Sequence, residues 1–390
     1  MALELRSTVT GRPGSTWRNS ARQRTIDVED LRLNYDPEFP QARFASLEAA
    51  ARSSTGRLPG AVPWPDGAVP TAAPLAQAPA ETDDLSRFRG YDAVIVTWTA
   101  AEAAALAALF TPDYLPARWY QYRYDVESYV PLVTGNVAPF KSRQPEMERY
   151  YHSLGLYFPV RIGNAKVLLF KSGLHLDYDG PRTPVKLLMA EIAQAVEPEV
   201  FITTGTGGGI GAQVALGDVV IAAQTRFECT TQFKGQPWRS EVYKTSKLPD
   251  GTLEAITPEL TRVNASRIEG ARKIPKIWAT ANDTIVTTDF FGFDESTHHY
   301  GLQRLGRACD MGDAMVGQAL QEFPDIRWYA IRNASDPEIP NPTNDMQAAE
   351  QVSGKIYSKY GAFTTAASAI ASWAVIHASF NEARVGRRRA

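Results

Sequence analysis

The sequence predicts an α/β layered fold with a mostly parallel or mixed sheet, on three observations. Short apolar runs of strand length recur along the chain. Helix-prone segments lie between them, so strands and helices alternate. The pattern also starts abruptly: it sets in at Tyr91, after a proline- and alanine-rich stretch over 56–79.

Taken in order, residues 1–90 read as an N-terminal arm and linker, with room for one or two short helices over 28–51. The prolines of 56–79 favour extended backbone over helix. The main region, 91–390, opens with Asp92-Ala-Val-Ile-Val-Thr-Trp98, a fully buried strand. An alanine-rich helix over 100–110 follows, ended by Pro112. The aromatic and polar stretch around 115–155 reads as an insertion. Residues 158–162 and 166–171 pair as strands about a Gly163-Asn164 turn. A helix over 184–196 has proline in its first turn. Strands are expected at 200–204, 218–223, 277–280, 308–311 and 328–333, with a helix over 313–322 and a long one over 345–380. No internal repeat is visible.

Composition excludes several classes. Lys+Arg is 41 against Asp+Glu at 43, a net charge of -2. That balance leaves no electrostatic footprint for nucleic acid and no membrane anchor, apart from the terminal Arg384, Arg387, Arg388 and Arg389. No run of 18 or more apolar residues is found, so no transmembrane helix is expected. The N-terminus lacks the apolar core of a secretory signal. Cys229 and Cys309 are too few for a disulfide framework or a cysteine zinc site. The expectation is a cytoplasmic protein without metal or cofactor.

Gly205-Thr-Gly-Gly-Gly-Ile-Gly211 is the first candidate site. A phosphate loop of the Walker type needs Gly-Lys-Ser/Thr at its end, and here the end is Ile210-Gly211-Ala212. A dinucleotide fingerprint needs a helix directly afterwards, whereas residues 214–222 read as strand. What stays open is a strand-end loop whose N–H groups and Thr206 hydroxyl hold a nucleoside or anion, or a tight turn with no ligand.

Three further segments appear with it in order: Val94-Ile-Val-Thr-Trp-Thr-Ala-Ala-Glu102, Cys309-Asp-Met-Gly-Asp-Ala-Met-Val316 and Tyr329-Ala-Ile-Arg-Asn-Ala-Ser-Asp336. Together with Leu216-Gly-Asp-Val-Val-Ile-Ala222 they resemble the nucleoside phosphorylase and nucleosidase superfamily, nearest to methylthioadenosine/S-adenosylhomocysteine nucleosidases, over roughly 90–380. The resemblance implies a three-layer α/β/α fold with a central mixed, partly barrel-like sheet. It implies a purine nucleoside or nucleotide as the small-molecule partner and a homo-oligomer. Asp336 would protonate or hydrogen-bond purine N7, Glu102 would activate the attacking water, and Thr206, Gly207 and Gly208 would lie at base and ribose. Met311, Asp310 and Asp313 would face the ribose hydroxyls, and Ser335 stands beside the acid.

The residue types suit that chemistry. Cleaving an N-glycosidic bond leaves a cationic sugar and an anionic purine. An acid at N7 neutralises the base, and a carboxylate near C1′ steers water and tolerates the cation. An acid in that role needs its pKa raised by burial. The bland readings are a turn for Asp336 before Pro337 and a favourable helix N-terminal charge for Glu102. Hydrolysis is expected over phosphorolysis, because Thr203 stands where phosphorylases carry an arginine for phosphate. The alternatives are a purine nucleoside phosphorylase or a nucleoside-binding module without turnover.

Departures from the family are informative. Gly312 replaces the expected ribose-binding glutamate, with Asp310 and Asp313 flanking it. His175, Asp177, Asp179, Arg182 and Lys186 crowd one loop, either as surface ion pairs or with His175, Arg182 and Lys186 reaching the 5′ side of a nucleotide. Among Phe290, Phe291 and Phe293, one stacks on the purine or all serve the core. His298 and His299 lack a third metal ligand and read as a loop.

Overall fold

The computed structural model describes residues 16–19, 24–27, 59–133, 153–176 and 182–381. The helices expected within 28–51, the terminal arginines, Asp177, Asp179 and residues 134–152 of the expected insertion lie outside them. A hairpin pairs Thr16–Asn19 with Arg24–Asp27.

The strands of the main sheet are, in chain order, β1 (Pro70–Ala72), β2 (Ala93–Thr97), β3 (Tyr120–Tyr122), β4 (Gly155–Ile162), β5 (Ala165–Ser172), β6 (Val200–Gly209) and β7 (Val219–Ile221). They continue as β8 (Gln224–Glu228), β9 (Val242–Lys244), β10 (Ile277–Trp278), β11 (Thr284–Thr288), β12 (Ala308–Asp310) and β13 (Arg327–Asp336). The main path runs β9-β8-β11-β12-β6-β2-β5-β4-β1. β13 lies beside β6 and β7, β10 beside β7, and β3 beside β4. Parallel pairs (β2 with β5 and β6, β6 with β13) are mixed with antiparallel ones (β4 with β5, β12 with β6). The path ends at β9 and β1, so the sheet stays open where partial barrel closure was expected.

Four helices frame this sheet: α1 (Ala100–Phe110), α2 (Pro184–Val196), α3 (Asp313–Leu320) and α4 (Met346–Asn381). Because successive strand residues face opposite sides, β2 feeds two cores. Val94 and Val96 pack into the cluster of α2 and α3. Ala93 and Ile95 pack into the cluster with α1 and α4. The result is three layers, α/β/α.

α1 forms where alanine and leucine give high helix propensity, behind a capping box: Thr99 accepts from Glu102 N–H and Glu102 accepts from Thr99 N–H. Residues 59–90 pack on this body. Trp373 Nε1 donates to Ala68 O at 2.8 Å, Trp64 lies against Trp373, and Leu85 and Phe88 are buried.

One feature carried no signal in the sequence, and one expectation is corrected. The segment 359–380 is long and apolar enough to cross a membrane, but 89% of its 18-residue apolar window is buried inside the fold, so it serves as core helix. The sequence masks it because Thr364, Thr365, Ser368 and Ser372 interrupt the apolar run; each hydroxyl is buried, and all four donate within the fold. The glycine segment 205–209 is strand rather than loop. β6 continues to Gly209 because β13 pairs with it as far as Gly208 and β12 at Gly208 and Gly209.

Candidate active site

The carboxyl ends of β2, β6, β12 and β13 meet on one cavity, where parallel strands conventionally offer ligand sites. Its walls include Trp98, Thr99 and Glu102 from the β2–α1 junction and Thr206, Gly207 and Gly208 from β6. Cys309, Asp310 and Met311 come from β12 and the residue after it, and Arg332, Ser335 and Asp336 from β13. His175, Phe291, Gly292, Gly312 and Tyr357 complete it. The enclosed space is about 30 Å³, room for ordered water rather than a nucleoside.

Glu102 is 1% exposed and surrounded by donors. Its Oε2 accepts from Thr97 Oγ1 at 2.6 Å and from Trp98 and Thr99 N–H, both at 2.8 Å. Its Oε1 accepts from Thr206 N–H at 2.6 Å and Thr206 Oγ1 at 2.8 Å, with Arg332 Nη1 3.6 Å away. Burial alone pushes this carboxyl up, but Arg332 and the hydrogen bonds outweigh it and hold the group below its usual range, ionised. Gly205 makes the approach possible. At φ +149° it sits where a side chain is strained, and a Cβ there would collide with the Glu102 carboxylate. Gly205→Ala is therefore expected to cost about 2–3 kcal/mol of stability, read by urea denaturation.

Asp336 has the opposite setting. It is buried, accepts from Ser335 Oγ at 2.9 Å and from Ser353 Oγ of α4 at 3.0 Å, and has no cation paired with it among the described residues. Burial pushes its pKa up to about 6 against the pull of those two hydroxyls. Two acids on one cavity are thus driven apart in protonation by their surroundings.

Arg332 is the residue that the sequence reading missed. Its guanidinium is 3% exposed and forks onto Asp313, with Nη2 at 2.6 Å and Nε at 2.8 Å. It also meets Asp310 at 3.0 Å, donates to Thr206 O at 3.2 Å and lies 4.8 Å from the Trp98 ring centre. Burial works against its charge, but Asp313, Asp310 and Glu102 keep it cationic. A signal was available: a charged residue inside a buried strand must be paired. Asp310 is raised by burial and by Asp313, against Arg332.

Other expected residues divide. Thr206, Gly207, Gly208, Asp310, Met311, Ser335 and His175 line the cavity. His175 is neutral there, burial having pushed it down to about 3. Asp313 is fully buried behind the wall and consumed by Arg332. Phe290 turns away to pack against Tyr300 at 4.7 Å, and its neighbour Phe291 takes the wall. Arg182 is exposed before α2 and does not line the cavity. Lys186 pairs with Glu322 at 3.5 Å where α2 packs on α3. Trp98, Cys309 and Tyr357 are wall residues with no local sequence signal; Tyr357 arrives from α4, far along the chain. Groups of three or more potential metal ligands are absent among the described residues.

An open mixed sheet with an acid-lined cavity at the ends of parallel strands defines a ligand-binding or catalytic α/β protein. A family model of the phosphorylase superfamily matches residues 131–360, more than half of the chain, and the chain belongs to that superfamily. The match includes Asp336 and leaves Glu102 outside. Solved structures with similarity include the 5′-methylthioadenosine/S-adenosylhomocysteine nucleosidase of Neisseria meningitidis in complex with methylthio-immucillin-A. It is 15% identical, with 73% of this chain and 97% of that one covered and a TM-score of 0.45. The Colwellia psychrerythraea 34H nucleosidase of that type, in complex with adenine, is 14% identical, with coverage of 75% and 96% and a TM-score of 0.48. Futalosine hydrolase of Helicobacter pylori strain 26695 is 11% identical, with coverage of 73% and 96% and a TM-score of 0.45. At these values none of them bears on the substrate. No curated protein matches the chain significantly.

Proposed function

We propose that the protein is an N-glycosidase that hydrolyses a purine nucleoside to free base and sugar. The observation that carries this reading is the convergence of Glu102 and Asp336 on one cavity, the first held ionised and the second biased toward its acid form. Asp336 gives its proton to N7 while the C1′–N9 bond breaks and its electron pair leaves with the purine. Glu102 places negative charge beside the cationic sugar. Its oxygens are already filled by donors, so the attacking water is held by the outward lone pair of Thr206 Oγ1, whose proton points at Glu102. As the water oxygen bonds to C1′, its proton passes through that hydroxyl to Glu102.

Water is favoured over phosphate as nucleophile on electrostatic grounds. An incoming oxyanion would meet the ionised Glu102, and the cavity's guanidinium is already shared among three carboxylates. Thr203 is buried in β6 beside Ala330 and offers no charge. A nucleoside is favoured over a nucleotide because Arg182 and Lys186 stand outside the cavity wall.

Chromatography of free base, with and without inorganic phosphate, tests this. Equal release in both is expected; release that depends on phosphate would make the protein a phosphorylase, and intact bound nucleoside would make it a binding module. The kcat/KM profile is expected to be level from pH 4.5 to 6, where Glu102 is ionised and Asp336 protonated, and to fall about tenfold per unit above pH 6, as Asp336 loses its proton.

A further inference from the structure

We propose that Ser353 of α4 is a positioning residue for the catalytic acid: its hydroxyl fixes the Asp336 carboxyl and stabilises the carboxylate left behind when the proton passes to the base. This deepens the nucleosidase reading and rests on it.

The geometry sets Ser353 apart from its neighbours. A serine or threonine inside a helix ordinarily turns its hydroxyl onto a carbonyl of the preceding turn. Thr364, Thr365 and Ser372 of α4 do so, the first two donating to Gly361 O and the third to Ser368 O. Ser353 Oγ instead leaves the helix and donates to Asp336 Oδ2 at 3.0 Å, both residues being buried. The helix is anchored for this contact. Ala349, Ser353 and Tyr357 are four residues apart and share one face. Ala349 packs with Phe293 and Ile339, and Tyr357 reaches the cavity wall. On the strand side, the pairing of β13 with β6 slips between Ala334 and Asp336, and Ser335 and Asp336 both line the cavity.

Each carboxyl oxygen of Asp336 thus has one hydroxyl. Ser335 Oγ serves Oδ1 and is shared with Gly207 O at 3.3 Å, while Ser353 Oγ serves Oδ2. A donor to a carboxylate stabilises the charged form more than the neutral one. Among the described residues no cation takes over that task. The other titratable or charged groups on the wall are Glu102, His175, Cys309, Asp310, Arg332 and Tyr357, and Arg332 is paired with Glu102, Asp310 and Asp313. Glu338 and Lys355, two residues along the chain from Asp336 and Ser353, stay outside the wall. Against burial, the two hydroxyls are what pull the Asp336 pKa down.

The test is Ser353→Ala in the full chain, read in two ways. The kcat/KM profile for purine release from adenosine is expected to begin its alkaline fall about one pH unit higher than in the wild type, the effect of one hydrogen bond lost by a charged group. Below pH 6 the variant is expected to be about threefold slower, since a weaker acid gives up its proton less readily, so the two profiles cross. The midpoint of the Asp336 titration, followed by carboxyl carbon NMR and assigned by its loss in Asp336→Asn, is expected to rise by the same amount. Ser368→Ala, the same change on the same helix with its hydroxyl on Asn333, is expected to leave both readings at their wild-type values. A Ser353→Ala profile lowered at every pH with its alkaline fall in place, or an unmoved midpoint, makes Ser353 a structural residue and overturns the proposal, while base release by the wild type keeps the nucleosidase reading. A wild type that frees no base removes that reading and the proposal with it, whatever the midpoint does.

Discussion

Replacing Arg332 with methionine is expected to destabilise the protein by about 3–5 kcal/mol, the scale for removing one partner from a buried ionic cluster. The guanidinium is the shared counter-charge for Glu102, Asp310 and Asp313, whose side chains are 1%, 2% and 0% exposed. Methionine fills much of the volume, so the loss reports charge and hydrogen bonding rather than a cavity. Lysine should rescue little, since an ammonium cannot reproduce the fork onto both oxygens of Asp313. The pH dependence supplies a check. Glu102 is held below its ordinary pKa, so its contribution is present above the unfolded value and fades as pH falls through the folded one. In the methionine variant that pull is gone. The difference between the two proteins in urea denaturation should then shrink as pH is lowered below 4.5, the ordinary value of the group.

Asp336→Asn is expected to lower kcat by about 10²–10⁴ while making the protein more stable at alkaline pH. The sign follows from the raised pKa. A carboxyl moved from 3.8 up to about 6 by burial contributes stability that is fully present below its unfolded pKa and lost as pH rises through 6. Above that, the folded protein must hold an uncompensated buried anion. Asparagine keeps a carbonyl oxygen for a serine hydroxyl and carries no charge. The variant should therefore gain on the wild type by up to about 3 kcal/mol by pH 8, seen as a higher Tm, and gain nothing near pH 4. A variant that is both less active and less stable at pH 8 would mark Asp336 as a structural residue.

Much of this was legible in the sequence because the informative signals are local. Buried strands read as apolar runs, so β2, β6 and β13 are visible. Glu102 and Asp336 end segments whose order matches a known family. Strands such as β8, Gln224–Glu228, alternate between buried and half-buried positions and carry charges, which hides them. The missing parts of the site are those that depend on long-range contact. Trp98 gains meaning only when Gly312 comes against its ring, and Tyr357 only when α4 crosses the cavity. Phe290 and Phe291 show how fine the distinction is: adjacent residues of one type, of which one meets Tyr300 and the other the cavity. Asp313 was expected at the ribose because it stands near the vacant family position. Arg332, unweighed in that reading, is what draws it inward.

The most direct measurement is the release of free purine from adenosine and its deoxy analogues, without phosphate, by wild-type protein and by Asp336→Asn side by side. The account predicts base and free sugar in equal amounts from the wild type and at least a hundredfold less from the variant. Release that survives the substitution, or a wild type that frees no base from any purine nucleoside, would contradict it.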